Sequence, residues 1–250
     1  MSNIIDIPIP KKALILAGGF GTRLRSVVND IPKPMADING KPFLSYLFDY
    51  ILNRGAGIKE LILSVGYKHE RIIDYYGNKY RTLNLKYTIE DKPLGTGGAI
   101  KNAINRFDGN NEILILNGDT FFNIDIKKLY EFHRNKNSAL TIALKKMENS
   151  DRYGFIEINI NGKIIKFFEK GHGRVMSGFI NGGIYILNKS FLDNLENLEN
   201  LYSFSFEKDI IERYYDCGKF YGINFNDCFI DIGVPEDYER AKTILKHFFI

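Results

Sequence analysis

The sequence predicts an α/β fold on a mixed, mostly parallel sheet with helices on both faces and an inserted antiparallel lobe. Three observations carry this. Short apolar runs alternate with amphipathic helical stretches through the first half of the chain, the order expected of strands joined by crossover helices. The first apolar run stops at a glycine cluster, Gly18, Gly19 and Gly21, where ligands bind in open α/β sheets. Beyond residue 150 two apolar runs flank Asn161-Gly162, the strongest short hairpin signal.

Lys12–Ala17 (KALILA) reads as a buried strand, apolar and closed by glycine. Pro42–Asn53 reads as a helix. Phe43, Leu44, Leu47, Phe48, Ile51 and Leu52 fall at helical spacing, Pro42 suits the first turn and Gly55 the C-terminal cap. Leu61–Val65 is a second strand and Lys68–Tyr76 a helix closed by Gly77. Leu85, Tyr87 and Ile89 alternate with Lys86 and Thr88, a third strand with one exposed face. Gly98–Phe107 gathers Ala99, Ile100, Ala103, Ile104 and Phe107 on one helical side. Glu112–Asn117 is the next buried strand, Ile126–His133 a helix and Ala139–Leu144 β-rich. Tyr153–Ile160 and Lys163–Phe168 are the hairpin arms, and Gly183–Leu187 a strand. Phe206–Tyr215 reads as a helix, Phe220–Asn224 as a strand and Pro235–Phe248 as the closing helix. Pro235, Glu236 and Asp237 suit the positive dipole end of that helix.

Composition excludes several classes. The 250 residues are 44% hydrophobic and 26% charged, the balance of a globular domain rather than a disordered chain, a fibre or a coiled coil. No apolar run approaches the ~18 residues of a membrane helix. Cys217 and Cys228 cannot build a disulfide framework, and no Cys/His spacing suits zinc. The N-terminal MSNIIDIPIPKK lacks the basic-then-apolar layout of a secretory leader, so a cytoplasmic location is expected. Lys and Arg number 34 against 30 Asp and Glu, a surplus of +4. That is too weak to imply nucleic acid and is compatible with small polyanions. No linker or repeat interrupts the chain, so one domain spanning 1–250 is expected.

Two motifs carry chemistry. LAGGFGTRLR, Leu16–Arg25, follows the first strand. Its glycines let backbone N–H groups approach phosphate oxygens, and Arg23 adds a bidentate cation. Neither G-x-G-x-x-G nor G-x-x-x-x-G-K-[ST] is present, which disfavours a dinucleotide loop and excludes a Walker loop. An ordinary strand-to-loop turn also uses glycine. Thr22, Arg23 and a second basic motif, IPKPM, favour phosphate instead. Prolines on both sides of Lys33 stiffen that segment and hold one ammonium in place.

LAGGFGTRLR followed by PKPM resembles the sugar-phosphate nucleotidyltransferases. The strings LRSVVNDIPKPMADINGKPFL, DRYGFIE, INGGIY, FSFEKD and FIDIGVPEDYERA resemble one branch of that family, which joins GTP to D-glycero-D-manno-heptose 1-phosphate. The likeness runs from about Lys12 to Lys246. It implies a Rossmann-like nucleotidyltransferase fold. The nucleotide-binding half would span about 12–145, and the sugar-binding lobe with the closing helices about 146–250.

The resemblance also implies roles. Leu16, Ala17, Gly18, Gly19, Gly21 and Thr22 would wrap the nucleotide. Arg23 would hold the departing pyrophosphate, and Lys33 would stabilise charge at the α-phosphorus. EDKPLGTGGAI, Glu90–Ile100, resembles the loop that reads the base. Pro93, Gly95 and Thr96 would lie near the ring, and Glu90 or Lys92 would bond its edge. The glycine-rich helix start there reads as an anion site by its dipole or as a plain N-terminal cap with glycine clearance. Asn117, Gly118 and Asp119 would also bind the nucleotide, and Asp119 with Asp231 would hold Mg2+ as cofactor. In the lobe, Gly154, Asn181 and Gly182 would meet the sugar. Glu169 would accept its hydroxyls and Lys170 would bind its phosphate. Arg23, Lys33, Asp119 and Lys170 are thus the expected catalytic set. His172 and Arg174 lie just beyond, in a stretch that reads equally as a loop. His69, His133 and His247 fall on helix faces and carry no assignment.

The expected partners are GTP and a sugar 1-phosphate, with no nucleic acid or membrane; homo-oligomerisation stays open. Mannose or another hexose 1-phosphate with GTP, UTP or dTTP is an alternative pairing. A nucleotide-sensing subunit on the same scaffold is a remote alternative, since the chain keeps every phosphate- and metal-holding position named above.

Overall fold

KALILA forms the central strand of the sheet. The computed structural model describes residues 9–21, 24, 27–28, 30–55, 57–107, 109, 111–148, 153–168, 178–195, 201–246 and 248. β1 (Lys12–Ala17) is followed by a single 3-10 turn at Lys33–Met35 and by the short strands β2 (Asp37–Ile38) and β3 (Lys41–Pro42). Then come α1 (Phe43–Arg54), β4 (Glu60–Val65), α2 (His69–Tyr76), β5 (Lys79–Tyr80), β6 (Leu83–Ile89) and α3 (Gly95–Ile104). β7 (Glu112–Asn117), β8 (Thr120–Phe122), α4 (Ile126–Asn135) and β9 (Leu140–Met147) complete the first half. The second half adds β10 (Phe155–Ile158), β11 (Ile164–Phe168), β12 (Gly178–Asn188) and α5 (Lys189–Asp193). A π-helical turn (Phe206–Glu212), a 3-10 turn (Tyr215–Cys217), β13 (Phe220–Asn224), β14 (Phe229–Asp231) and α6 (Pro235–Lys246) end it.

β7, β1, β4 and β6 pair side by side in parallel. β12 then joins antiparallel to β7, and β9 pairs antiparallel with β12 and parallel with β13. The β10–β11 hairpin attaches to the first half of β12. The sheet is therefore mixed around a parallel core. Its strands feed two apolar layers alternately. Ala13, Ile15, Leu61, Leu63, Leu114 and Leu116 pack into one cluster with α1, α2, α4 and α6. Leu14, Ile62, Ile113 and Ile115 pack into the other with α3, Ile210 and Ile211. Burial on both faces is why these strands read as continuous apolar runs.

The 126–135 helix starts on a side-chain cap: Asp125 Oδ1 accepts from Lys128 N at 3.1 Å. The hairpin closes through Ile160, Asn161 and Gly162, with Gly162 at φ +79° and Asn159 N donating to Lys163 O at 2.9 Å.

Several elements depart from the sequence reading. Gly183–Leu187 is only the second half of an eleven-residue strand. The Gly98–Phe107 helix instead spans Gly95–Ile104, because its glycines lie under another segment of chain, described below. β6 alternates as expected through Lys86, but Thr88 is buried and Ile89 is 44% exposed. Thr88 pairs with the buried Ser64 of β4, so the open face closes at that end. Phe206–Tyr215 begins as a π-helical turn rather than a regular helix. Pro42 precedes α1, paired with Asp37 in the β2–β3 hairpin. That hairpin turns on Asn39-Gly40, both at positive φ, and the sequence reading lacked it, as it lacked β5, β8 and β14.

Candidate active site

The carboxyl ends of the parallel strands open into a cleft of about 520 Å3. Leu16 and Ala17 from β1 line it beside Asn117 and Gly118 from β7. The glycine loop forms one wall with Gly18, Gly19, Phe20 and Gly21. Gly21 adopts φ +57°, and a Cβ added there would lie 2.9 Å from Lys33 Cβ. The glycine therefore supplies a left-handed turn and lets the Lys33 stem pack against the loop.

Lys33 heads the 3-10 turn, fixed by Met35 N to Pro32 O at 2.8 Å and Ala36 N to Lys33 O at 3.0 Å. It is 8% exposed, an unusual place for a lysine unless it is paired. Its Nζ donates to Asp119 Oδ2 at 2.7 Å and lies 3.7 Å from Asp231 Oδ1. A short antiparallel pair, β8 with β14, joins the two aspartates. Thr120 pairs with Asp231, and Ile232 N donates to Asp119 O at 3.0 Å. Residues 119 and 231, distant in sequence, are thus locked side by side.

This donor set fits a small hard cation. Two carboxylates flank Lys33 Nζ at the cleft wall, and Mg2+ typically takes one or two carboxylates, with waters and substrate phosphates completing its shell. Among the described residues no cluster of three or more His, Cys, Asp or Glu could hold a metal, so Asp119 and Asp231 would be its protein ligands.

At the other end Glu90 follows β6. Its Oε1 accepts from Ser64 Oγ at 3.0 Å and its Oε2 from Leu94 N at 3.2 Å. The carboxylate lies over the Cα of Gly18, where a Cβ would collide with it. Pro93, Gly95 and Thr96 also line the cleft. Lys92 is exposed and is not part of the lining.

Part of the anion site expected at the start of α3 is taken up by the chain itself. Gly97 N and Gly98 N donate to Phe204 O at 3.0 and 3.3 Å. These two donors are satisfied by another stretch of backbone rather than left for a ligand. Gly95 and Gly97 serve this approach, since a Cβ on either would strike Phe204. The Thr96 hydroxyl is engaged likewise. It donates to Glu207 Oε2 at 2.6 Å and accepts from Phe206 N at 2.8 Å. Glu207, which the sequence reading did not single out, lines the cleft.

On the lobe side Gly154 and Asn181 line the cleft with Tyr153, Phe167 and Phe229. Asn181 stands where the β12–β9 register shifts. Its Oδ1 accepts from Gly183 N at 3.0 Å, and its Nδ2 donates to Tyr185 OH at 2.7 Å. Burial, then the nearby Glu207 charge, hold the Tyr185 phenol protonated far above its usual range. Among the described residues Asn117 Oδ1 and Thr120 Oγ1 are buried with no hydrogen-bond partner, and both residues line the cleft. Gly182 does not line it. Gly182 is buried, and a Cβ there would lie 2.5 Å from the Phe122 ring, so packing accounts for that glycine. Thr22, Arg23, Glu169, Lys170, His172 and Arg174 lie outside the described residues. Among the described residues no helix is long and apolar enough to cross a membrane.

The chain is 47% identical to the D-glycero-alpha-D-manno-heptose 1-phosphate guanylyltransferase of Aneurinibacillus thermoaerophilus, over 95% of this chain and 99% of that protein. It is 46% identical to the enzyme of the same name from Campylobacter jejuni subsp. jejuni, over 91% of this chain and 96% of that one. The crystal structure of HddC from Yersinia pseudotuberculosis complexed with GMP-PN matches with a TM-score of 0.80 at 39% identity, covering 94% of this chain and 99% of that one. The Nucleotidyl transferase family model matches residues 12–247, and the chain belongs to that family.

Proposed function

We propose that the protein transfers a guanylyl group from GTP to D-glycero-alpha-D-manno-heptose 1-phosphate, giving GDP-heptose and pyrophosphate for surface polysaccharide in the cytoplasm. The observation that carries the choice of base is Glu90. A carboxylate only accepts hydrogen bonds. Ser64 Oγ and Leu94 N fix its orientation and leave one further lone pair on each oxygen. Among the common bases only guanine offers two adjacent donors on its pairing edge, N1–H and the N2 amino group. Uracil and thymine offer one donor between two acceptors. The choice of sugar is supported by the two relatives at 46 and 47% identity, both named for this heptose phosphate.

The reaction is an in-line displacement. An oxygen of the sugar phosphate attacks the α-phosphorus of GTP, a new P–O bond forms, and the bond to the bridging oxygen of pyrophosphate breaks. The attacking oxygen is already ionised near pH 7, so no general base is required. The task is to bring two polyanions together and hold them in line. Lys33, fixed by its prolines, places one positive charge at the transferring phosphorus. The glycine loop offers backbone N–H groups to the phosphates. Arg23 and Lys170, by the motifs they stand in, clamp the pyrophosphate and the sugar phosphate, and Glu169, by its motif, accepts sugar hydroxyls; Gly154 and Asn181 line the cleft. Asp119 and Asp231 would hold Mg2+, which when bound neutralises phosphate charge and orients the reacting oxygens.

The test is pyrophosphate release with Mg2+, crossing GTP, ATP, CTP, UTP and dTTP with heptose, mannose, glucose and N-acetylglucosamine 1-phosphates. Release restricted to GTP with the heptose phosphate is expected. Release with another pair overturns the assigned substrates and keeps the reaction class.

A further inference from the structure

Glu207 is a fourth cleft carboxylate, beside Glu90, Asp119 and Asp231, with a built orientation and no role in the scheme above. It is the second residue of the π-helical turn and lines the cleft with Thr96 and Asn181. Its Oε2 accepts from Thr96 Oγ1 at 2.6 Å and from Ser205 Oγ at 3.1 Å. Thr96 cannot turn its hydrogen elsewhere without losing a bond, because Phe206 N already donates to its oxygen at 2.8 Å. Among the described residues no hydrogen bond reaches the other oxygen, Oε1. One carboxylate oxygen is therefore tied by two hydroxyls, and the second is left as an acceptor.

An acceptor in this cleft needs a donor from the ligand. The substrates of the proposed reaction are polyanions, and away from the base their donors are sugar hydroxyls. The base edge belongs to Glu90, beside Gly18 and across the start of α3 from Glu207. The ring of Phe206, the residue before Glu207, lies 5.3 Å from that of Tyr185, whose OH receives Asn181 Nδ2 at 2.7 Å. Glu207 and Asn181 both line this cleft, with a carboxylate and an amide, the groups that read hydroxyls.

We infer that Glu207 accepts a hydrogen bond from a sugar hydroxyl of a substrate and is a specificity-determining residue of this reaction; the inference rests on the function proposed above. The hydroxyl belongs to the ribose of the nucleotide or to the pyranose of the sugar 1-phosphate, and kinetics separate the two. Glu207→Gln keeps the size and an oxygen for Thr96 but presents an amino group where Oε1 stood. The variant should lose about 10- to 150-fold in kcat/KM, the range for a hydrogen bond to a charged group. If ribose is read, the KM for GTP rises, and 2′-deoxy- or 3′-deoxy-GTP, already poor with the wild type, loses little more. If the pyranose is read, the KM for the sugar phosphate rises while GTP affinity by calorimetry stays unchanged. A merely structural role would lower the melting temperature without this split between the two KM values. The wild type supplies a readout independent of the variant's folding: equal use of GTP, both deoxy forms and the deoxy-sugar phosphates overturns the inference. Unchanged kcat and KM values in Glu207→Gln overturn it alone. A wild type that turns over no pair overturns the underlying function and this inference with it.

Discussion

Lys33 Nζ sits 2.7 Å from Asp119 Oδ2 and 3.7 Å from Asp231 Oδ1, between the two carboxylates expected to bind metal. An ammonium and a divalent cation compete for that position. Lys33→Met should tighten Mn2+ binding to nucleotide-free protein, read as the loss of the free-ion signal in electron paramagnetic resonance. Equal or weaker binding would show that Lys33 does not contend with the metal. In turnover Lys33 has the opposite value. Its removal should lower kcat by about 100- to 1,000-fold, the scale for loss of one preorganised electrostatic donor. Asp119→Ala should also lose orders of magnitude, and circular dichroism should show both folds intact.

Glu90 should control the base. Glu90→Gln replaces one of two acceptors with a donor at the edge where guanine presents two donors. A good bidentate contact is worth about 1–3 kcal/mol of discrimination, so kcat/KM for GTP should fall about 5- to 150-fold. The same change presents a donor and an acceptor, the complement of uracil or thymine. The ratio of UTP to GTP use should therefore rise. A variant that keeps the wild-type ratio would remove Glu90 from base selection.

The parts of this site legible in the sequence are those written contiguously. The glycine loop, the proline-flanked Lys33 and the NGDT and FIDIG aspartates each stand within a few residues of a strong local signal. The three-residue strands that bring Asp119 to Asp231 are too short to show any alternation. Asn39-Gly40 makes the same hairpin signal as Asn161-Gly162, but its arms have two residues each, leaving no periodic flank to read. Glu207 escaped because its meaning is a contact with Thr96 across 111 residues. The role of Gly97 and Gly98 is hidden for the same reason. The carbonyl of Phe204 that takes their N–H groups arrives from the second half of the chain.

That packing yields a stability test. A Cβ at position 97 would overlap the Phe204 ring, and Phe204 is itself 5% exposed, so it has little room to move. Gly97→Ala should cost about 1–3 kcal/mol in urea unfolding, the usual scale of overpacking. Combined with Phe204→Leu, the two changes should cost clearly less than the sum of the separate ones, since they share one contact. Additive costs would mean that the ring is not what excludes a side chain there. Because the same segment carries Ser205 and Glu207, Gly97→Ala should also raise a substrate KM before it unfolds the protein.

His133 predicts how stability responds to pH. It is 2% exposed between α4 and β9, and its Nδ1 lies 2.8 Å from Thr141 Oγ1. Burial, with Arg134 adding to it and Glu112 opposing, lowers its pKa to about 4 from 6.5. Between those values the unfolded chain binds a proton that the folded chain refuses. Stability therefore rises with pH across this window and is lost as pH falls through it. From pH 7.5 to pH 5 the loss from this one residue is about 2 kcal/mol. Glu60 adds little there, and only near pH 5, where the unfolded carboxyl begins to bind a proton. Its burial is outweighed by Lys86 and Lys12, which hold its pKa below the usual range, so it stays ionised throughout. His133→Gln keeps a polar partner for Thr141 and removes the titration. Urea midpoints measured at the two pH values should differ less in the variant than in the wild type. An equal difference would mean that groups other than His133 set the acid sensitivity of the fold.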